Sequence, residues 1–405
     1  MTALPRAPFA RSSLLPPGAG APSAPPATLL GRRAARAREL MAAESIDGLV
    51  VASRGHITQY GGVEFLTGYT PVARMAYAVL SRAGDGPVLI APTPADRWFA
   101  RRAPDPVEVV QVGTGNVGAR DDLAGAAAGV LADAGVAGGR IGITGLSSIV
   151  PLADFEALRR ALPEAELVDA DGLLAELKLV KEPDDLAEIR RTVAIADAGF
   201  IAARRAIRPG ATDAEVAGAI HGAIGARGAR DALVFVSALP YFLSWPQGER
   251  LRGGDLVTVY VEVVGPTGYW VECGGLIAIG EPVPEQLRVA AACLEAARRA
   301  ELHLRPGATA AEVAAEIDAV AEEGELLTGL WHGHGVGVDH DAPVITHGDD
   351  TVLRPGMVVA VHPNYATADE RHGASVVDTY LITETGSERL SAVPQQILRA
   401  DWERP

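Results

Sequence analysis

Apolar and polar positions in this chain alternate between two periods. Short runs such as IDGLVVAS, YAVLSRAGDGPVLIAP, VEVVQV, GRIGITG and AELVDA read as strands, with a turn at Gly84-Asp85-Gly86. Ala-rich stretches with helical spacing lie between them, beginning with the helix RRAARARELMAAESI. This pattern predicts an α/β domain over 31–178. Residues 1–30, including PPGAGAPSAPPA, have neither period and read as a disordered Pro/Ala-rich tail. Arg6 and Arg11 are not followed by a continuous apolar run, so the tail is not read as a signal peptide.

A second region, 179–397, opens with KEPDDLAEIRRTVAIADAGFIAARRAI, a long helix with Pro183 and acids in its first turn. It contains two closely matching phrases. RPGATDAEVAGAI begins at Arg208 and RPGATAAEVAAEI at Arg305, 97 positions apart. Each follows an Ala/Arg-rich helix, so the region reads as an internal duplication with a site between its α/β halves. In GDLVTVYVEVV, Thr258, Tyr260 and Glu262 share one strand face and Val257, Val259 and Val261 the other. GYWVECGGLIAIG reads as its hairpin partner, with Trp270 and Glu272 on one face. GMVVAVHPNY and SVVDTYLIT form a further pair.

Composition narrows the class. A hydrophobic content of 48% supports large cores, and a net charge of −15 argues against nucleic acid or an anionic membrane as partner. Two cysteines cannot form a disulfide framework or a cysteine metal cluster, which fits a cytoplasmic setting. No apolar window is long enough for a transmembrane helix.

The candidate chemistry is concentrated in WHGHGVGVDHDAP, which holds three of the nine histidines, and in VVAVHPNY, where His362 interrupts an apolar strand. Gly333 and Gly335 flank His334, so backbone can pass close and the imidazole can be aimed inward. A buried histidine without a partner is costly.

LVKEPDDLAEIRR, IRPGATDAEVA, GGDLVTV, GYWVE, GHGVGVDHDAP, LRPGMVVAVHPNY and VVDTYLITETGSERLS together resemble the pita-bread superfamily of creatinase, prolidase, aminopeptidase P and methionine aminopeptidase. The resemblance implies a creatinase-like N-terminal α/β domain followed by a pita-bread domain with pseudo-two-fold α/β halves. It also implies a homodimer in which 60–74 borders the partner's pocket. Peptidases of the family hold two metal ions with Asp, Asp, His, Glu and Glu. Carried over position by position, the first aspartate falls on Tyr260, with Glu262 as the other candidate, and the second on Glu272. The histidine falls on His334, the first glutamate on His362 and the last on Val377. The family's proton-handling histidine has no counterpart; Tyr241, Ser244 or Trp245 stands near its place, while His340 corresponds to the histidine further along.

These replacements lead to three expectations. Glu272, His334 and His362 form one surviving ligand set, for at most one divalent ion: iron or zinc, with manganese the weaker choice. The alternative is a metal-free polar pocket. His340 joins His334 and His362 and handles a proton with Tyr260 and Tyr241, while His332 points elsewhere; Glu262, Trp270, Trp245, Asp378 and Arg371 are candidates for contacting a small-molecule substrate. The expected function is a non-peptidase hydrolase or lyase acting on a C–N bond of an amino-acid-derived or amidine-like metabolite. The alternatives are redox chemistry at one iron and a catalytically inactive binding module.

Overall fold

The computed structural model describes residues 27–403 apart from 73, 85, 104 and 114–121. Most of the expected N-terminal tail, and Asp85 of the expected turn, therefore lie outside the described residues. The first region comprises α1 (Ala27–Ala43), β1 (Gly48–Arg54), α2 (Gly61–Thr67), β2 (Met75–Ser81), β3 (Val88–Ala91), α3 (Pro94–Ala100), β4 (Glu108–Gln111), α4 (Leu123–Asp133), β5 (Arg140–Thr144), α5 (Leu152–Ala161), β6 (Glu166–Asp169) and α6 (Asp171–Leu179). The first helix starts earlier than its sequence pattern suggests, because Leu29 and Leu30 are buried and extend its apolar face. The strands form one mixed sheet in the order β4-β3-β2-β1-β5-β6. Alternate residues of β1 face opposite ways: Leu49 and Val51 join a core with α1, α2 and α6, and Val50 and Ala52 join another with α4 and α5.

The second region comprises α7 (Pro183–Ala206), α8 (Asp213–Gly225), β7 (Asp231–Ser237), β8 (Leu256–Val264), β9 (Trp270–Ala278), α9 (Pro284–His303), α10 (Ala310–Glu323), β10 (Leu326–Thr328), β11 (Gly333–Val336), β12 (His340–Val344), β13 (Val358–Val361), β14 (Asn364–Thr367), β15 (Gly373–Ser375), β16 (Asp378–Ile382), β17 (Ser387–Arg389) and β18 (Leu398–Arg399). The repeated phrases fold alike. Thr212 and Thr309 each cap a helix through a reciprocal box, with Glu215 and Glu312 respectively. Gly210 and Gly307 each donate a backbone hydrogen bond to a leucine carbonyl, of Leu251 and Leu353. One half places α7 and α8 over the sheet β18-β9-β8-β7; the other places α9 and α10 beside strands β10, β14 and β15 and the sheet β12-β11-β13-β16-β17.

Two buried ion pairs join the regions. Arg33 on α1 reaches Asp185 on α7 at 2.7 Å. Lys178 on α6 bonds Asp341 on β12, and Lys181 lies 3.8 Å from the same carboxylate. Among the described residues, no helix is long and apolar enough to cross a membrane.

Candidate active site

The β8–β9 hairpin and the β11–β13 strands bring the chemistry together. The hairpin register sets Glu262 directly opposite Glu272 and Tyr260 opposite Gly274. The Val257, Val259 and Val261 face packs into the core with α7, which leaves the Tyr260 and Glu262 face toward the site. Glu272 is fixed twice. Its backbone exchanges hydrogen bonds with the Thr379 hydroxyl on β16, and its Oε2 accepts from the Tyr260 hydroxyl at 2.5 Å.

His334 lies on β11 between two glycines that the packing requires. A Cβ at Gly333 would fall 2.2 Å from the Ala360 carbonyl, and one at Gly335 would fall 2.0 Å from that of Ala342. The adjoining strands can therefore close on His334 from both sides. Its Nδ1 contacts the Gly335 carbonyl at 3.0 Å, which leaves Nε2 3.0 Å from Glu272 Oε1. His362 follows β13 directly; its backbone N–H donates to the His332 carbonyl, and its own carbonyl accepts from Asn364.

The three rings come together, with centroids 4.3 Å apart for His334–His340 and 5.7 Å for His334–His362. His332 turns away and contacts Asp318 through Nε2 at 2.8 Å. Glu272, His334 and His362 are buried, and each offers a ligand atom within 4.8 Å of the others. His362 Nδ1 has no hydrogen-bond partner, and Glu272 Oε1 meets only the His334 Nε2 at 3.0 Å, at a poor hydrogen-bonding angle. A buried acceptor left in this state is costly, and a carboxylate with two imidazoles suits a borderline divalent cation. The residues present thus fit one ion here.

The resemblance implies four carboxylates and one histidine, a set that Tyr260, His362 and Val377 at the carried-over positions do not supply. Tyr260 and Val377 pack with Phe235 and Phe242 in a small apolar cluster, with Phe242 stacked on Tyr260 at 4.7 Å. Gly274 lets this cluster close, since a Cβ there would meet Val377 Cγ1 at 2.8 Å. Glu262, Glu272 and His340 form a second three-donor group. The sequence did not reveal it because strand parity puts Glu262 and Glu272 on the site's face, but only the hairpin register puts them opposite each other.

Electrostatics distribute the protons. Burial would push the Glu272 carboxyl up, but His334, His362 and His340 outweigh it and hold it well below the usual range. Burial pulls His334 down, yet Glu272 prevails and the imidazole rises to about 9. Burial and then the His334 charge lower His340 to about 4; burial lowers His362 to about 4 against the pull of Glu272. Burial and Glu272 push Glu262 well up. His340 and His362 are thereby held neutral, while His334 is held as an imidazolium against Glu272 and must give up its proton before it can ligate a cation.

The other expected residues divide. Trp270 is fully buried, lies 4.8 Å from the His340 ring and stacks on Tyr60 at 6.4 Å. Tyr260 is buried with its hydroxyl committed to Glu272. Tyr241 is exposed and donates to Glu370, not to the cluster. Trp245 is exposed beside Phe235, and Arg371 is exposed beside Asp369. Asp378 is buried but bound by Arg389 and Gln395. The sequence reading put Tyr60 only in the segment bordering a partner's pocket and missed the pair Lys178 and Lys181; two lysines three apart in ELKLVK were the available signal.

Residues 187–384 match metallopeptidase family M24, and residues 33–180 match the creatinase/prolidase N-terminal domain. The chain is 32% identical to the probable dipeptidase PepE of Mycobacterium tuberculosis over 69% of its own length and 74% of that protein. It is 29% identical to the Xaa-Pro dipeptidase of Pyrococcus horikoshii over 63% of its length and 74% of the relative's. The solved dipeptidase PepE from Mycobacterium ulcerans superposes with a TM-score of 0.76 at 25% identity, covering 93% of this chain and 99% of that one. These relatives place the chain among hydrolases, and their dipeptidase names run against the expected non-peptidase function. That expectation weighed individual ligand positions, whereas the likeness runs through both regions of the chain. The chain belongs to metallopeptidase family M24 and carries a creatinase/prolidase N-terminal domain ahead of the catalytic one.

Proposed function

We propose that this chain is a peptidase-type hydrolase that cleaves the amide bond of a dipeptide, with a divalent cation held by Glu272, His334 and His362. The observation that carries this reading is the convergence of three buried donors around Glu272 Oε1, with His362 Nδ1 left without a hydrogen-bond partner. The dipeptidase names of the relatives supply the substrate class. A cation bound there supplies Lewis-acid polarisation of a carbonyl and activation of water.

The chain's own groups prepare that centre. The Tyr260 hydroxyl orients Glu272, and the Gly335 carbonyl orients His334. Trp270, Tyr60 and the Phe235/Phe242 cluster keep water from the buried side of Glu272. His340 is the most exposed of the four cluster histidine and glutamate side chains around Glu272, at 26%, and marks the side from which substrate approaches.

The test is incubation of purified, cation-loaded protein with a panel of dipeptides, both Xaa-Pro and others, followed by mass spectrometry of the released amino acids. Cation-dependent cleavage that His362→Ala abolishes is expected. No cleavage of any dipeptide under any loading, or cleavage indifferent to His362→Ala, overturns the reading.

A further inference from the structure

We propose that Trp331 determines the specificity of the catalytic site, forming with the segment 239–245 an apolar subsite that selects dipeptides carrying an aromatic or large aliphatic side chain. The proposal rests on the dipeptidase reading above and names its substrate class. Four rings follow one another at the site: His340, His334, His362 and Trp331, with successive centroid separations of 4.3, 5.7 and 6.3 Å. The inner two are buried, whereas Trp331 is 51% exposed. Trp331 therefore stands at the lip of the cluster, beside a buried imidazole and open to solvent.

The fold does not use this indole as core. Leu330 turns inward onto the Phe235 and Phe242 cluster, and His332 turns inward to Asp318, so Trp331 between them turns out. The backbone beside it is held by Asn364. The Asn364 Oδ1 accepts from the Leu330 N–H at 2.8 Å, and its Nδ2 donates to the carbonyls of Leu330 and His362 at 3.3 and 2.9 Å. One buried amide thus ties the segment that bears Trp331 to His362, without help from the indole.

The segment 239–245 continues the lip. Leu239, Tyr241, Leu243 and Trp245 are all exposed, while Phe242 turns in and stacks on Tyr260. The Tyr241 hydroxyl is spent on Glu370, and its ring lies against Gly329, two residues before Trp331. The two segments therefore meet, and what they offer at the lip is apolar. Large apolar groups held in water beside a buried polar centre mark a place where a ligand's own apolar group is buried. An indole face suits an aromatic ring or a branched aliphatic chain, through stacking and area removed from water. It offers little to glycine or alanine.

The experiment compares kcat/KM of the cation-loaded, full-length protein for Phe-Ala, Leu-Ala, Ala-Phe and Ala-Leu with that for Ala-Ala. Wild type should favour the bulky side chain, in one position of the dipeptide, by roughly 10–100-fold. Trp331→Ala and Trp331→Gln should abolish most of that ratio, chiefly through a raised KM, and Trp331→Phe should keep it, with circular dichroism unchanged in all three. Equal kcat/KM for bulky and small dipeptides in wild type would overturn the subsite. A preference that survives both Trp331→Ala and Trp331→Gln would also overturn it. If no dipeptide is cleaved, the dipeptidase reading fails by itself, and calorimetry with reduced-amide analogues of the same dipeptides still reads the subsite. Tighter binding of a bulky analogue, lost in Trp331→Ala, would uphold it; equal binding of bulky and small analogues would overturn it.

Discussion

The Tyr260 hydroxyl donates a 2.5 Å hydrogen bond to Glu272 Oε2, so one strand of the β8–β9 hairpin holds the carboxylate of the other. Tyr260 is stacked on Phe242 and cannot swing away without opening the aromatic cluster. The bond therefore fixes which carboxylate oxygen stays free for the site.

Tyr260→Phe keeps the stack and removes the donor. The variant should fold, lose about 1–3 kcal/mol for the unsatisfied buried carboxylate oxygen, and bind its cation roughly 10–100-fold more weakly. Denaturant titration and chelator competition measure the two effects. Unchanged cation affinity would show that the hydroxyl does not orient Glu272.

Val377→Glu places a carboxylate among Phe235, Phe242 and Tyr260. Without cation it should destabilise the protein by roughly 2–5 kcal/mol, the scale of burying an unpaired polar group. Urea denaturation reads this. A neutral effect on stability, accompanied by an additional bound cation, would show that the apolar cluster is not closed to ions.

The Lys178–Asp341 pair links α6 to the strand that begins at His340. Both side chains are almost fully buried, at 10% and 2% exposure. Lys178→Met leaves Asp341 with Lys181 at 3.8 Å as its remaining cation and should cost about 3–5 kcal/mol. Adding Asp341→Asn should return part of that loss. A double-mutant cycle by chemical denaturation checks it; strict additivity would mean that the pair does not couple the two regions.

Much of this was legible in the chain. Period-two alternation placed Tyr260, Glu262, Trp270 and Glu272 on one face, and the glycines around His334 marked where strands close on it. The repeated RPGAT phrases showed the two halves, which the matching caps at Thr212 and Thr309 bear out. Three features were not legible, each for a physical reason. The second donor group depends on the hairpin register that sets Glu262 against Glu272. The apolar plug needs Phe242, which lies in a segment without periodicity. The Lys178–Asp341 bond spans 163 positions and joins two regions whose docking no local pattern records. The functional expectation failed differently: it read lost ligands as lost peptidase character, while the family likeness extends over both regions.

The central claim is that the catalytic centre is organised around Glu272. Anomalous diffraction at the zinc edge, from crystals grown with ZnCl2, tests it most directly. The account predicts a peak bounded by Glu272, His334 and His362. Absence of any peak at Glu272, or density instead within the space enclosed by Tyr260, Phe235, Phe242 and Val377, would contradict it.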